Sequence, residues 1–420
     1  MVKFERYFLF CALVLCAGLI TACKGNSDSI AHIWTNQSEF ASYVELFNTS
    51  QTKYHIIVEY KENPAEELIS TKNNLPDIVI GPWLKGEKAR SKLTSVDYLF
   101  NELKINSQFF YGSLLNLGNI QNRQYLLPVS FNMPTLIFSM DNQILIPENF
   151  TLSLDQIQKL GRDYNIPQKN AYTQMGFSPR WNTDFLYLVL QLFDADFEEN
   201  TSLFGWKQQS LDNAVAYLRN WTNSCNTSAR AEDEFEFKYL YDPPYKQVVE
   251  GRVLFSFMSS DELFILPQDK IQNIDFRWIS RNSMTAINDD IIYMGICKKA
   301  PHIETAEAFM IWFFNEKTQK ALLDRNKVMG MMDKSFGISG GFSALRPVNE
   351  KIFPLFYPSI LGHLPPADTM TIPHILPNNW EILKKEIVIP WLTDTTSVSE
   401  EDLTSVDSLN VRITKWIKTH

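Results

Sequence analysis

The sequence predicts an α/β fold with two lobes, and two observations carry the prediction. Strand-like and helix-like segments alternate in the order β-α-β-α-β between His32 and Gly81, which is the pattern of a parallel, helix-covered sheet. A long extended stretch, Tyr125–Asp141, follows and is interrupted by Pro128 and Pro134. Because proline cannot donate to a sheet ladder, this stretch suits a strand passing from one lobe into another. A second run of helices and strands then begins, so we expect a second lobe.

The elements of the first lobe follow from their periodicity. The spacing of Phe40, Tyr43 and Phe47 predicts a helix. In such sheets ligands bind beyond the carboxyl ends of the strands. Here those ends are residues 35–38 and 81–83. The expected elements are, in chain order, a strand at His32–Thr35, a helix at Ser38–Asn48, a strand at His55–Tyr60, a helix at Pro64–Thr71 and a strand at Pro76–Gly81.

The rest of the chain mixes the same two kinds of element. Ser153 and Gln156 form a capping box, which predicts the start of a helix. Residues 259–261 are placed to cap another helix, and the glycine-rich segment 337–347 is expected to cross between lobes. We expect helices at Asp184–Phe193, Leu211–Trp221, Thr305–Leu323 and Glu400–Lys418, and strands at Val248–Phe257 and Ile291–Cys297.

Length and composition exclude several classes of protein. The 420 residues allow two or three domains with full cores, and 13% aromatic residues exclude a disordered chain. The formal net charge is −9, and no stretch gathers lysine and arginine on one face. Since binding to DNA or RNA needs such a cationic surface, we expect no nucleic-acid partner.

The first residues resemble a bacterial lipoprotein signal. Lys3 and Arg6 precede an apolar run, Tyr7–Ala22, that is too short for a permanent membrane span. Residues 20–23 resemble a lipobox, in which Cys23 takes a diacylglyceryl thioether. We therefore predict a signal peptide at 1–22, lipidation of Cys23, a flexible tether at 23–30 and a protein anchored at the bacterial cell envelope, facing the periplasm or exterior. The alternative is an ordinary signal peptide with a chance cysteine.

Two cysteines, Cys225 and Cys297, remain in the folded part of the chain. One disulfide between them is possible, although a core of this size needs none. Because Cys297 lies in an apolar run, a buried free thiol is the favoured interpretation.

The order of these segments resembles the bacterial extracellular solute-binding proteins of the sugar ABC-transporter type, the group that contains maltose-binding protein. The resemblance covers nearly the whole chain after the signal. One departure is the loop Gly337–Pro347, which is longer than the usual glycine-proline turn of the family. The motifs that carry the resemblance are the lipobox, Trp34-Thr35-Asn36, and the segments Pro76–Gly81, Tyr125–Phe138, Val249–Phe257, Thr305–Phe314 and Thr318–Lys320.

The resemblance implies a Venus-flytrap fold, with each lobe a mostly parallel sheet flanked by helices and joined by crossing hinge strands. It implies an N-terminal lobe of residues 31–135 and 285–336 and a C-terminal lobe of residues 136–284 and 337–420. It also implies a monomer that captures a small-molecule ligand, a sugar or oligosaccharide, without a cofactor or metal, and delivers it to ABC permease subunits. No catalytic residue is expected, and the protein is interpreted as a binding protein and not an enzyme.

Sugar rings pack on flat aromatic side chains, and their hydroxyl groups need paired donors and acceptors. Ser38 and residues 259–261 could equally cap helices, and Trp83 could equally pack between lobes. Trp83 and Trp181 are expected to face one cleft from different lobes. The candidate ligand-binding residues at strand ends and crossings are Asn36, Gln37, Ser38, Glu39, Trp83, Asn132, Trp181, Asp184, Ser259, Ser260, Asp261, Phe342 and Arg346.

Three alternatives have weaker support. Residues 337–341 match the G-x-S-x-G pattern of an ester hydrolase, with Ser339 as nucleophile and Asp368 and His374 following, but the flanking segments do not read as strand and helix. A glycoside hydrolase would need two carboxylates across a cleft, and no pair stands out. A surface adhesin on the same fold is the third alternative. The six histidines show no metal-binding spacing.

Overall fold

A computed structural model describes residues 30–102, 104–168, 171–200, 203–399 and 401–418, which form two α/β lobes around two six-stranded sheets. The predicted signal peptide, Cys23 and the tether up to residue 29 lie outside the described residues. No helix in the described part of the chain combines the length and the apolar character that a membrane crossing requires.

The strands differ widely in length, from two residues to eight. In chain order they are β1 (Ile30–Thr35), β2 (His55–Tyr60), β3 (Ile78–Gly81), β4 (Asn119–Ile120), β5 (Arg123–Gln124), β6 (Leu127–Phe131), β7 (Pro134–Ser139), β8 (Thr151–Ser153), β9 (Ile166–Gln168), β10 (Ala171–Gln174), β11 (Glu198–Asn200), β12 (Leu203–Gly205), β13 (Ser256–Ser259), β14 (Ile274–Arg281), β15 (Met284–Ala286), β16 (Ile292–Ile296), β17 (Phe342–Ser343) and β18 (Met370–Thr371).

The helices cover both sheets. The α-helices are Glu39–Ser50, Pro64–Ser70, Glu87–Arg90, Asp97–Asn101, Gly112–Leu117, Leu154–Tyr164, Thr183–Leu192, Gln208–Cys225, Ala229–Lys238, Pro244–Val249, Ser260–Phe264, Gln268–Ile271, Ile303–Phe313, Glu316–Val328, Arg346–Lys351, Trp380–Leu383, Ile389–Ser397 and Leu409–Ile417. A π-helical turn, Lys384–Val388, joins the helices on either side of it.

The first-lobe sheet has the strand order β17-β6-β16-β3-β1-β2. β1 pairs in parallel with β2 and β3, as the β-α-β-α-β pattern predicts. β16 then inserts antiparallel between β3 and β6, and β17 pairs antiparallel with β6. The sheet is therefore mixed, and the expectation of a mostly parallel sheet is wrong for this lobe.

The second-lobe sheet has the order β13-β7-β14-β15-β18, with β8 beside β14. β7 pairs antiparallel with β13 and β14, and β14 pairs antiparallel with β15. The parallel pairings are β8 with β14 and β15 with β18. This sheet is also mixed, because short connections such as the one from β14 to β15 permit only antiparallel neighbours.

The chain crosses between the lobes at residues 132–133, which join β6 to β7, and at residues 287–291, which join β15 to β16. The two crossings touch, since the N–H group of Asn288 donates to the carbonyl of Asn132 at 2.9 Å. β17 lies in the sheet of the first lobe, although residues 337–420 are expected in the C-terminal lobe. The chain therefore leaves the first lobe later, between β17 and β18.

Aromatic packing joins distant helices in the first lobe. The rings of Phe40 and Phe313 stack at 5.5 Å, and those of Phe47 and Phe309 meet edge to face at 5.3 Å. The apolar stripe predicted for residues 38–48 thus packs against the helix Ile303–Phe313. Burial of each such ring stabilises the fold by about 1.5–3 kcal/mol.

Three element predictions need correction. The helix predicted at Thr305–Leu323 is two helices, because Asn315 accepts the N–H group of Lys317 and starts the second one. The predicted strand Val248–Phe257 begins only at Ser256, after a short helix. The last predicted helix begins at Leu409, after a 3-10 turn.

The cysteine interpretation is confirmed. Cys225 and Cys297 are both buried and free. Burial raises the pKa of the Cys297 thiol to about 12, so the thiol stays protonated and unreactive.

Candidate functional site

A cavity of about 380 Å³ lies between the two lobes. Its volume is at the lower end of the range for ligand pockets. Its walls come from the carboxyl ends of β1 and β3 in the first lobe, from the second lobe and from a crossing segment. The lining residues are Asn36, Gln37, Pro82, Trp83, Pro134, Asn182, Asp184, Tyr187, Leu188, Gln191, Phe257, Ser259, Glu262, Asn288, Asp289, Asp290, Ile292, Glu381 and Lys384.

The first-lobe wall carries amide groups held in place by their neighbours. The Nε2 group of Gln37 donates to Oδ1 of Asn36 at 2.8 Å, and the Ser339 hydroxyl donates to Oε1 of Gln37 at 3.2 Å. Both amides follow β1 directly and remain partly exposed. The wall therefore offers ordered hydrogen-bonding groups without a charge.

Trp83 forms the other part of this wall. Its backbone has a φ of +60°, a conformation that L-residues rarely adopt, and its side chain is only 5% exposed. Within the described part of the chain its indole N–H has no hydrogen-bond partner. This nitrogen has almost no accessible surface, so the unpaired N–H group is enclosed in the wall and lies out of reach of a ligand in the cavity.

The second-lobe wall is built on the helix Thr183–Leu192 and on the end of β13. Asn182 caps the helix, with Oδ1 accepting the N–H group of Asp184 at 2.8 Å. Ser259 receives a hydrogen bond of 3.0 Å from the side chain of Asn288, and its own N–H donates to Glu262 at 3.1 Å. The wall therefore presents carboxylates and a hydroxyl group to the cavity.

The crossing segment contributes two adjacent carboxyl groups. Asp289 is buried and accepts the indole N–H of Trp380 at 2.7 Å and the ammonium group of Lys384 at 3.2 Å. Asp290 faces the cavity. Desolvation by the surrounding walls and then the charge of Asp289 raise the pKa of Asp290 to about 7.

Lys384 lies above the ring of Tyr187, with its nitrogen 4.1 Å from the ring centre. Burial alone would lower the pKa of Lys384. The carboxylates of Asp289, Asp184 and Asp290 outweigh that effect, and the pKa is raised. Lys384 therefore stays charged and is committed to Asp289.

The structure brings five of the predicted ligand-binding residues together around the cavity, namely Asn36, Gln37, Trp83, Asp184 and Ser259. Asn36, Gln37 and Trp83 follow strands, Ser259 ends β13, and Asp184 lies in the first turn of its helix. Contact with a ligand stays a prediction for each of them.

Four other predicted residues have structural partners and do not line the cavity. Glu39 accepts a hydrogen bond from the Ser335 hydroxyl at 2.6 Å. The side chain of Asn132 donates to the carbonyl of Gly340 at 2.9 Å and accepts from the Ser260 hydroxyl at 2.7 Å, so Asn132 and Ser260 tie the crossing strand in place. Phe342 is fully buried, stacked on Phe353.

Trp181 does not share the cavity with Trp83. Its ring stacks on Phe235 at 5.5 Å and its N–H donates to the carbonyl of Glu232 at 3.1 Å. It lines a separate pocket of about 130 Å³ in the second lobe. The expectation that the two tryptophans face one cleft is therefore wrong, because the contacts with Phe235 and Glu232 hold the ring of Trp181 against the helix Ala229–Lys238.

The remaining predicted residues lie away from the cavity lining. Ser38 is exposed and precedes its helix without a side-chain cap, and Asp261 lies in the first turn of the helix Ser260–Phe264. Arg346 is exposed, lies 3.7 Å from the carboxylate of Glu350 and lines a different pocket.

Sequence reasoning missed most of the ionisable lining. Asn288, Asp289 and Asp290 form a polar run between two apolar strands, a signal that could have marked a crossing at the cleft. Glu381 and Lys384 reach the cavity from a helix about a hundred residues further along the chain, and nothing in their local sequence indicates it.

The geometry does not assemble the triad of the hydrolase alternative. The Ser339 hydroxyl bonds to Gln37, and the ring of His374 lies 3.0 Å from Asp196. Ser339 also precedes a two-residue strand and no helix, so the segment is not a nucleophile elbow. In the described part of the chain no group of three His, Cys, Asp or Glu side chains could hold a metal ion.

No family model matches the chain, and no curated protein sequence matches it. Solved structures do match. The sugar-binding protein MalE from the phytopathogen Xanthomonas citri has a TM-score of 0.64 at 11% identity, over 92% of this chain and 95% of its own. The cyclic alpha-maltosyl-1,6-maltose binding protein from Arthrobacter globiformis has a TM-score of 0.59 at 16% identity, over 92% and 96%.

A third structure, UgpB from Mycobacterium tuberculosis in complex with glycerophosphocholine, has a TM-score of 0.56 at 13% identity, over 93% of this chain and 99% of its own. The chain has the fold of these binding proteins. At such low identity the likeness establishes the two-lobed architecture and leaves the ligand open.

Proposed function

We propose that the protein is a substrate-binding lipoprotein of an ABC importer, which captures a sugar or oligosaccharide between its lobes and delivers it to the membrane permease. The observation that carries the proposal is the interlobe cavity, whose walls combine amides, carboxylates, a hydroxyl and aromatic rings from both lobes. Such a lining suits a molecule with apolar ring faces and many hydroxyl groups.

Three features support this proposal. Trp83 of the first lobe and Tyr187 and Phe257 of the second bring aromatic side chains to the cavity. Two neighbours with the same fold, those from Xanthomonas citri and Arthrobacter globiformis, are described as sugar-binding proteins. The lipobox resemblance at Cys23 supports anchoring at the cell envelope, facing the periplasm or exterior, where such a receptor would meet its solute and its permease.

The mode of action follows from the two lobes. A ligand that contacts both walls binds the closed arrangement better than an open one. Only such differential binding can shift an equilibrium between the two. The touching crossings at Asn132 and Asn288 provide the hinge about which closure would occur.

A thermal-shift panel of mono-, di- and oligosaccharides tests the proposal. A ligand at 100 times its dissociation constant should stabilise the folded protein by about 2.7 kcal/mol. A shift with at least one sugar is the expected result. A shift only with other solutes would overturn the sugar assignment, and no shift with any solute would favour the adhesin alternative.

A further inference from the structure

The cavity carries an excess of negative charge. Besides the phenol of Tyr187, six ionisable side chains line it, five with carboxyl groups and one with an ammonium group. The ammonium group, Lys384, is already engaged by Asp289 at 3.2 Å. Lys85 lies behind the wall over the ring of Tyr293 and is not part of the lining. The remaining carboxyl groups belong to Asp184, Glu262, Asp290 and Glu381.

In the part of the chain that the structure describes, none of these four carboxyl groups has an ion-pair partner of its own, although the charge of Lys384 acts on Asp184 and Asp290 from beyond 4.0 Å. Among the described residues, none of them lies within 4.0 Å of a lysine, arginine or histidine nitrogen. All four residues keep exposed surface, although the walls desolvate the carboxyl groups of Asp290 and Glu262. They come from three helices and a crossing segment, so no single local motif accounts for them. The amides of Asn36 and Gln37 on the opposite wall are neutral.

The carboxyl groups repel one another. Desolvation, with the neighbouring charges of Asp261 and Asp184, raises the pKa of Glu262. Desolvation and the charge of Asp289 also raise the pKa of Asp290. A cation between these groups would relieve the repulsion, and the low dielectric of a closed cleft would strengthen the attraction.

Trp83 is a second and independent indication, because it brings an aromatic side chain to the same cavity. It is 95% buried and lines the cavity. The face of such a ring attracts a cation, whereas the ring of Tyr187 is already covered by Lys384.

We propose that the solute is cationic, a hydroxylated molecule with an ammonium group such as an amino sugar, held with its ammonium group among Asp184, Asp290 and Glu381. This inference rests on the proposed function, since it assigns a charge class to the ligand of the same cavity. A neutral sugar would satisfy the amides but would leave the excess of negative charge in the cavity uncompensated.

The test compares two disaccharides with the same ring skeleton, the glucosamine disaccharide and its N,N′-diacetylated form. Their affinities are measured by calorimetry on the purified full-length protein at about pH 6.5, where the free amines are largely protonated. We expect the disaccharide with free amines to bind at least tenfold more tightly than the acetylated form, a difference in binding free energy of about 1.4 kcal/mol. This advantage should shrink as salt is raised from about 0.05 to 0.5 M, because salt screens charge pairs.

At pH 6.5 Asp290, whose pKa is about 7, is largely protonated in the free protein. The isosteric variants Asp184→Asn and Glu381→Gln should therefore carry the test, and each should reduce the ratio between the two affinities by more than threefold. Glu350→Gln, an exposed acidic residue beside Arg346, is the matched control and should leave the ratio unchanged. Circular dichroism melting checks that each variant is folded.

The outcomes separate the two proposals. Equal or tighter binding of the acetylated form, or of neutral sugars in the panel, overturns the charge inference and leaves the sugar-binding function standing. Failure of every sugar, charged or neutral, overturns both.

Discussion

The side-chain amide of Asn378 donates a hydrogen bond of 2.7 Å to the backbone carbonyl of Trp83. Asn378 follows β18 of the second lobe, and Trp83 follows β3 of the first, so this bond joins the lobes at the edge of the cavity. It also secures Trp83 in its left-handed backbone conformation, which costs about 1–3 kcal/mol in a non-glycine residue. The ring that lines the site is thus positioned by a contact between lobes.

Asn378→Ala should weaken ligand binding more than it weakens folding of either lobe. A hydrogen bond of this kind contributes about 0.5–1.5 kcal/mol, which corresponds to a roughly twofold to tenfold loss of affinity. Calorimetric affinity and the thermal midpoint, measured on the same protein, check the prediction. Gly86→Ala should act similarly, because an added Cβ would lie 2.8 Å from the Asn378 side-chain oxygen.

Asn48→Ala is the matched control for Asn378→Ala. Asn48 also donates to a backbone carbonyl, that of Ile56 at 2.9 Å, but within the first lobe. It should lower the midpoint and leave affinity unchanged. Equal affinity losses in both variants would contradict a special role of the bond between lobes.

Trp83→Phe and Trp181→Phe should have opposite effects on binding and stability. Trp83→Phe shortens an aromatic side chain that lines the cavity, so the binding free energy should weaken by about 0.5–1.5 kcal/mol. The thermal midpoint should change little, because the lost N–H group has no partner in the described part of the chain. Trp181→Phe removes a hydrogen bond to Glu232 outside the cavity, so the midpoint should fall and affinity should hold. A loss of affinity in Trp181→Phe alone would show that the site is the smaller pocket.

Glu232 predicts a pH-dependent stability. It is fully buried, and desolvation raises its pKa from the ordinary 4.5 to about 7, although Asn226 and Arg180 act in the other direction. The folded state therefore holds the proton more tightly than the unfolded state. The stability contribution is present below about pH 4.5 and is lost as the pH rises through 7.

As the pH rises from 4.5 to 8, the free energy of unfolding of the Glu232→Gln variant should therefore increase relative to that of the unmodified protein. The increase should be at most about 3 kcal/mol. Urea titrations at several pH values measure this. Glu234→Gln, on the same helix but exposed, is the control and should show no such trend. A difference that stays constant across the pH range would argue against the raised pKa.

Cys23→Ser should release the protein from the membrane fraction, because acylation of this thiol is the proposed anchor and a cleaved signal leaves no other. Fractionation after a salt wash, with detection of the protein in each fraction, checks the prediction. Cys225→Ser, which changes a buried free thiol, should stay membrane-bound. Retention of Cys23→Ser in the membrane would refute the lipobox interpretation.

The parts of the fold that sequence reasoning predicted are those set by local pattern. The apolar stripe of Phe40, Tyr43 and Phe47 and the alternation of β1 and β2 are local, so the parallel start of the first sheet followed directly. The strand-end rule then placed Asn36, Gln37 and Trp83 at the cavity.

The parts that it could not predict depend on contacts between distant segments. The insertion of β16 between β3 and β6 pairs strands more than 150 residues apart, and no local pattern encodes it. Lys384 reaches Asp289 for the same reason. Trp181 has the expected residue type in the expected region, but its ring packs on Phe235, more than 50 residues further along the chain.

Calorimetry with cavity variants from each lobe tests most directly the claim that a solute binds between the lobes. The variants are Asn36→Ala from the first lobe, Asp184→Ala from the second and Arg346→Ala as an exposed control away from the cavity. With the best ligand from the sugar panel, the account predicts at least a tenfold loss of affinity in each of the first two variants and less than a twofold change in the third. Unchanged affinity in either cavity variant, or a loss in Arg346→Ala, would contradict it.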